Sequence, residues 1–185
     1  MTMMNNPWKI NSSKVYYDSP WISLIEHQVT RPKGDPGIYV VADFKHRAIC
    51  VLPLDENYNA WIVGQFRLPI NEYSWEIPEG GGPLNEEPIE SAKRELMEEC
   101  GIKAEKWTQI GECYLSNAGT TEKAFLFVAQ QLSFFESTPE PTEVLEVKKL
   151  PFEELFQQVM NGEIKDAPSV IAVMKAKLLM ERGEL

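Results

Sequence analysis

Residues 80–102 read GGGPLNEEPIESAKRELMEECGI, and their spacing decides what the rest of the chain has to build. A glycine-rich turn runs into a short helix. Pro88 suits the first helical turn, where its missing N–H costs nothing, and Gly101 suits the position just past the end. Ile89, Ala92, Leu96 and Cys100 recur at three- and four-residue spacing and form the stripe that faces a core. Glu95 and Glu99 lie one turn apart on another face, with Glu98 between them in angle. Like charges at that spacing repel, so local helix physics alone disfavours them. Glu90 can pair with Arg94, and Arg94 with Glu98, which leaves Glu95 and Glu99 as the carboxylates most in need of a cation. Grouped hard oxygen donors suit Mg²⁺ or Mn²⁺, ions that keep several waters and take further ligands from phosphates. The competing reading is a solvated acidic face on an acidic protein. It fits poorly with a helix that follows a tight glycine turn and a buried strand.

Outward from this stretch, the 185 residues are enough for one domain with a small appendage and a sizeable core. A net charge of −10 argues against general nucleic-acid binding, which needs clustered Lys and Arg. Phosphate-bearing substrates must then meet local positive charge or metal. Cys50, Cys100 and Cys113 sit in apolar runs without ligand spacing and read as buried thiols of a reducing compartment. The N-terminus lacks the charged start and long apolar run of a signal peptide, and no stretch is long enough to span a bilayer. The expectation is a cytoplasmic protein with no membrane partner.

Along the chain, residues 1–12 are polar and expected to be loosely ordered. Residues 14–30 read as two strands broken at Ser19-Pro20, and 31–37 as a turn. GIYVVADF, RAICVLPL and AWIVGQFRLP follow as strands, with tight connections at Lys45-His46 and 55–59. After the helix come WTQIGECYL and KAFLFVAQQLS, separated by the loop 116–122. An exposed Pro- and Glu-rich loop at 137–143 precedes the strand VLEVKKL. Pro151 opens a helix through Met160, and Asp166 or Ser169 caps a last one with Val170, Ile171, Met174 and Leu178 on one side. Strands before and after one central helix, with helices again at the end, predict a mixed α/β sandwich.

The 80–102 stretch resembles the Nudix box: glycine, five residues, glutamate, seven residues, then Arg-Glu-aliphatic-any-Glu-Glu-any-Gly-aliphatic. Gly80, Glu86, Arg94, Glu95, Leu96, Glu98, Glu99, Gly101 and Ile102 fill every fixed position. The resemblance implies an α/β/α sandwich with a mixed sheet, and metal-dependent hydrolysis of a nucleoside diphosphate linked to another group. It makes Glu95 and Glu99 metal ligands, Glu98 a ligand or support, Arg94 their orienting residue, and the backbone carbonyl of Glu79 a further donor.

Beyond the box, the chain is similar to ADP-ribose pyrophosphatases and related nucleoside-diphosphate-sugar hydrolases. In that subgroup an N-terminal β-appendage, here residues 1–40 ahead of a catalytic domain over 41–185, is exchanged across a homodimer and helps to build the base pocket. Arg67 in VGQFRLP is expected to clamp a diphosphate oxygen, as guanidinium does well. Glu76 of SWEIP is a candidate for hydrogen bonding to a base or sugar, with a structural role as the alternative. Trp21, Tyr16 and Tyr17 are candidate stacking aromatics of the appendage, with strand packing as the alternative for each. The loop Ser116–Glu122 resembles the subgroup's Ser-Pro-Gly-Gly-Thr-Ser-Glu-type loop. Its marker proline falls at Asn117, which widens the expected substrates from ADP-ribose to nucleotide sugars, while Glu122 is kept. The box carboxylates are committed to metal and make poor bases; the resemblance implies a general base from a loop after the sheet, for which Glu140 and Glu143 in the 137–143 loop are the candidates. Two alternatives remain: another Nudix substrate class, such as a dinucleotide or damaged nucleotide, or a module that senses ADP-ribose without cleaving it. His27 and His46 lack partners at ligand spacing and are read as structural.

Overall fold

The computed structural model describes residues 5–138 and 144–185. The chain divides into two compact units, one of residues 1–46 with 116–122 and one of residues 47–115 with 123–185.

The first unit is an antiparallel sheet in the order β1-β2-β3, formed by β1 (Lys9–Asp18), β2 (Ile22–Thr30) and β3 (Pro36–Phe44). β1 begins inside the segment expected to be loosely ordered. Ile10 pairs with Val29, and Asn11 Nδ2 donates to Thr30 Oγ1 at 3.1 Å, so the ladder runs on past Lys14. The β2–β3 turn closes through Arg31 and Asp35, 2.5 Å apart, with Gly34 at φ 94°. Residues 116–122 dock on β3. Ala42 N donates to Gly119 O at 2.9 Å, Thr121 N to Ala42 O at 3.1 Å, and Tyr39 Oη to Ala118 O at 2.6 Å.

The second unit holds β4 (His46–Pro53, its first residue shared with the first unit), β5 (Asn59–Arg67), β6 (Glu72–Glu76), β7 (Glu79–Pro83), α1 (Pro88–Cys100), β8 (Ile102–Tyr114), β9 (Lys123–Phe134), β10 (Glu146–Pro151), α2 (Phe152–Met160) and α3 (Ala167–Glu181). One sheet runs β7-β4-β9-β8 and another β10-β5-β6. β4 and β9 are parallel, which makes the architecture mixed. Both are nearly continuous apolar runs because both of their faces are covered. Ile49, Val51, Phe127 and Ala129 pack with Ala92 and Leu96 of α1, whereas Cys50, Leu52, Leu126 and Val128 pack with Leu155 of α2 and Ala172, Val173 and Ala176 of α3. The expected helix–sheet–helix layering is present.

Two local expectations are corrected. The glycine run is a strand, β7, and the turn falls at 84–87. Glycine serves close approach here: a Cβ at Gly82 would stand 2.7 Å from Ile49 Cγ1 and 2.9 Å from Ser91 Oγ. On α3 the buried face is the small one, Pro168, Ser169, Ala172, Val173 and Ala176. Of the residues expected to share one side, Val170 packs against the core, as do Leu179 and Met180, whereas Ile171, Met174 and Leu178 are exposed.

Candidate metal and diphosphate site

Helix α1 starts at Pro88 and ends in a left-handed Gly101, φ 63°, whose N–H reaches Met97 O at 3.0 Å. Ala92 and Leu96 are fully buried, and Ile89 and Cys100 pack at the edge of the same cluster. This stripe seats the helix so that Glu95 and Glu99 face β7 and not solvent; they are only 9% and 2% exposed. Gly80 lets Glu95 come close, since a Cβ there would stand 2.1 Å from Glu95 Oε2. Glu79 N donates to Glu99 Oε2 at 2.9 Å.

Arg94 ties these pieces together. Its Nη1 lies 2.7 Å from Glu95 Oε1 and 2.9 Å from Glu98 Oε2, and its Nη2 donates to Gly81 O at 3.0 Å. The pairing of Glu90 with Arg94 does not form; Glu90 pairs with Lys93 at 2.7 Å, which frees Arg94 for the strand. Glu95, expected to lack a cation of its own, shares Arg94. Glu86 bonds the hydroxyl of Ser91, and Arg47 Nη1 and Nη2 hold Glu86 O at 2.7 Å and Leu84 O at 3.0 Å, which pins the turn into the helix.

A second acidic group lies behind β7. Carboxylate oxygens of Glu76, Glu79 and Asp166 all lie within 4.8 Å of one another. Arg67, at the end of β5, sits among them. Its Nε donates to both Glu76 oxygens at 3.0 Å, and its Nη2 meets Glu76 and, at 2.8 Å, Glu79 Oε1. Burial opposes the Arg67 charge, but Glu76 and Glu79 outweigh it and keep the guanidinium protonated. Burial, then the charges of Asp166 and Glu76, push the Glu79 carboxyl up to about 8. Burial also raises Asp166, which caps α3 by accepting from Ser169 N at 2.8 Å. Glu76 is buried, and the partner the structure gives it is Arg67. Asp166 was read from sequence only as a cap; its approach to Arg67 had no local signal.

Of the other expected site residues, Trp21 and Glu122 belong to the first unit. Glu140 and Glu143 lie outside the described residues. The thiols are free, Cys50 buried and the other two partly so, and burial raises all three, Cys50 and Cys100 strongly.

The donors along α1 are hard oxygens, largely buried and aimed at a glycine strand that leaves room for them, and this set fits a divalent cation such as Mg²⁺. The Nudix domain family matches residues 44–172, and the nucleoside diphosphate sugar hydrolase N-terminal domain matches residues 8–41. The chain belongs to the Nudix family and is a pyrophosphohydrolase of that family, whose members use divalent metal ions. It is 34% identical over 160 residues, 85% of each chain, to a Bacillus subtilis (strain 168) protein named ADP-ribose pyrophosphatase. It is 31% identical over 125 residues, 63% of each chain, to a Yersinia pestis (strain Pestoides F) protein named GDP-mannose pyrophosphatase. A crystal structure of an ADP compounds hydrolase shares the fold, with a TM-score of 0.86 over 100% of both chains at 17% identity. Among the described residues no helix is long and apolar enough to cross a membrane.

Proposed function

We propose that the chain hydrolyses the diphosphate of ADP-ribose or a related nucleoside diphosphate sugar, using Mg²⁺ or Mn²⁺, to a nucleoside monophosphate and a sugar phosphate. The observation that carries this reading is the burial of Glu95 and Glu99 against the Gly80–Gly81 strand, with Arg94 and the Glu79 N–H fixing their oxygens. The names of the relatives support the substrate class.

In this reading Glu95 and Glu99, with Glu98 and the Glu79 carbonyl, hold the metal, which when bound neutralises phosphate charge and lowers the pKa of water. Arg94 keeps the carboxylates in register. Arg67, oriented by Glu76 and Glu79, takes a phosphate oxygen through Nη1, the nitrogen left out of both pairs. The in-line water gives its proton to a carboxylate of the 137–143 loop, Glu140 or Glu143. Residues 1–40 serve as a dimerising appendage, with residues 41–185 as the catalytic domain. The exposed Ile10, Val15 and Tyr17 of β1 support a homodimer, Trp21 receives the nucleobase, and Glu122 contacts substrate or a supporting arginine. The free thiols support a cytoplasmic setting.

The test is a panel of ADP-ribose, ADP-glucose, GDP-mannose, UDP-glucose, NADH and a nucleoside triphosphate, each with and without Mg²⁺, on wild type and Glu99→Gln. Metal-dependent release of monophosphate from a nucleotide sugar, lost in a folded Glu99→Gln, is the expected result. Cleavage of the triphosphate alone, or full activity in Glu99→Gln, overturns the reading.

A further inference from the structure

The tip of the β1–β2 hairpin is braced beyond what a surface turn needs. Ser19 Oγ accepts from Ile22 N at 3.1 Å and from Trp21 N at 3.3 Å, and it lies 2.9 Å from Ile22 O, to which it donates. Lys45 N donates to Trp21 O at 2.9 Å, and Lys45 Nζ reaches Ser19 O at 2.6 Å and Asp18 Oδ1 at 2.5 Å. What this bracket presents is an indole: Trp21 is 63% exposed. An aromatic that remains this open adds little to folding through burial, so the ordering of its backbone points to another use.

The residue after Lys45 supplies the other half. The His46 ring lies 4.8 Å from the Trp21 ring, centroid to centroid, at an interplanar angle of 37°. That is the separation of an offset aromatic pair. His46 Nδ1 is shut away from solvent with no hydrogen-bond partner among the described residues. An unmet buried nitrogen is a cost, so Nδ1 does not serve as a polar anchor. The aromatic contact of the ring is with the indole.

We infer that His46 is a positioning residue, whose ring sets the plane of Trp21 so that the indole's open surface stacks on the nucleobase of the substrate. The inference rests on the nucleotide-sugar reading above and deepens it. Holding an indole in one plane before binding removes an ordering cost that binding would otherwise carry. Stacking tolerates any base, so this device raises affinity without choosing between adenine and guanine. It reverses the reading of His46 as merely structural.

The test uses the full chain labelled with 5-fluorotryptophan, with the Trp21 ¹⁹F line assigned by its loss in Trp21→Phe. In wild type, AMP, the base-bearing product, is expected to shift that line. His46→Ala is expected to move and broaden the line, weaken its response to AMP, and raise KM for ADP-ribose about three- to tenfold. Its kcat stays within about twofold, because an interaction made equally in ground and transition states moves KM alone. His46→Phe, which restores a flat ring, brings KM back, and Trp21→Ala raises it by roughly tenfold or more. If His46→Ala proves too unstable to assay, His46→Leu, with bulk but no ring plane, carries the same expectation. A KM and AMP response unchanged in His46→Ala or His46→Leu overturns the inference, as does a wild-type Trp21 line indifferent to AMP. Failure of hydrolysis across the substrate panel is a separate result, since the response to AMP needs no turnover.

Discussion

Gly80 and Glu95 are in contact across the strand–helix junction: a Cβ built on Gly80 would stand 2.1 Å from Glu95 Oε2 and 2.5 Å from Oε1. The first glycine of the box therefore keeps the space that a carboxylate occupies. Gly80→Ala moves the flexible end of Glu95 and not the backbone, so the fold should lose less than about 1 kcal/mol. Displacing an oxygen from the ligand set should lower metal affinity or activity by about 10–100-fold. Mg²⁺ titration of activity, alongside thermal melting, checks both halves.

Arg94 makes its contacts as a fork, with one nitrogen to Glu95 and Glu98 and the other to Gly81 O. Arg94→Lys keeps the charge but cannot span carboxylates and carbonyl together. The expected outcome is a folded protein with kcat/KM down by about 10–100-fold, comparable to other losses of groups that orient ligands. Activity within about twofold of wild type would count against the orienting role.

Asp55 gives the protein a stability term that depends on acid. Burial pushes its carboxyl up, but the side chain and backbone of Asn59, then Lys149 and the Asn57 N–H, outweigh burial and hold it at about 2, below the ordinary 3.8. A depressed folded pKa gives stability that is complete above the unfolded value and is lost as pH falls toward the folded one. Discounted for solvent screening, Asp55→Asn should therefore cost about 1 kcal/mol at pH 7. The difference from wild type should close between pH 3.8 and about 2. Urea melts at a series of pH values measure it.

Gly101 combines a left-handed backbone, φ 63°, with a backbone neighbour, Phe135 O, 2.3 Å from where a Cβ would be. Gly101→Ala should cost about 2 kcal/mol or more, since neither strain nor clash can relax through a side chain. Chemical denaturation is the measurement.

Chelation separates site from scaffold. The core around Leu52, Leu126 and Leu155 is held by apolar packing, with burial raising the pKa of the Cys50 and Cys113 thiols within and beside it, so EDTA should abolish activity and leave secondary structure unchanged by circular dichroism. Added Mg²⁺ should restore turnover.

The box helix was legible because its signals are local: Pro88, Gly101 and the spacing of Ala92 and Leu96 act within a few turns. The strand nature of Gly80 to Gly82 was hidden, since glycine has no intrinsic strand preference and the reason for it lies in Ile49 and Ser91, which come together only in the fold. The same distance in sequence hid Asp166, whose carboxylate comes beside those of Glu76 and Glu79 through the placement of α3. On that helix the side that docks was not the one the large apolar residues suggested: Ala172, Val173 and Ala176 are fully buried, while Leu178 is 52% exposed. The end of β1 nearest the N-terminus was missed because its polar residues pair through backbone bonds that composition does not reveal.

The segment 116–122 closes onto β3 through the Ala42–Thr120 bridge, although 78 positions separate those two residues in order. The N-terminal sheet is therefore not a module that can be lifted out as one continuous piece. A shortened chain begun at Arg47 would strand the seven-residue excursion without its backbone partners, and grafting residues 1–46 onto another enzyme would leave β3 with an open edge. Recombination that respects this molecule has to carry both pieces at once.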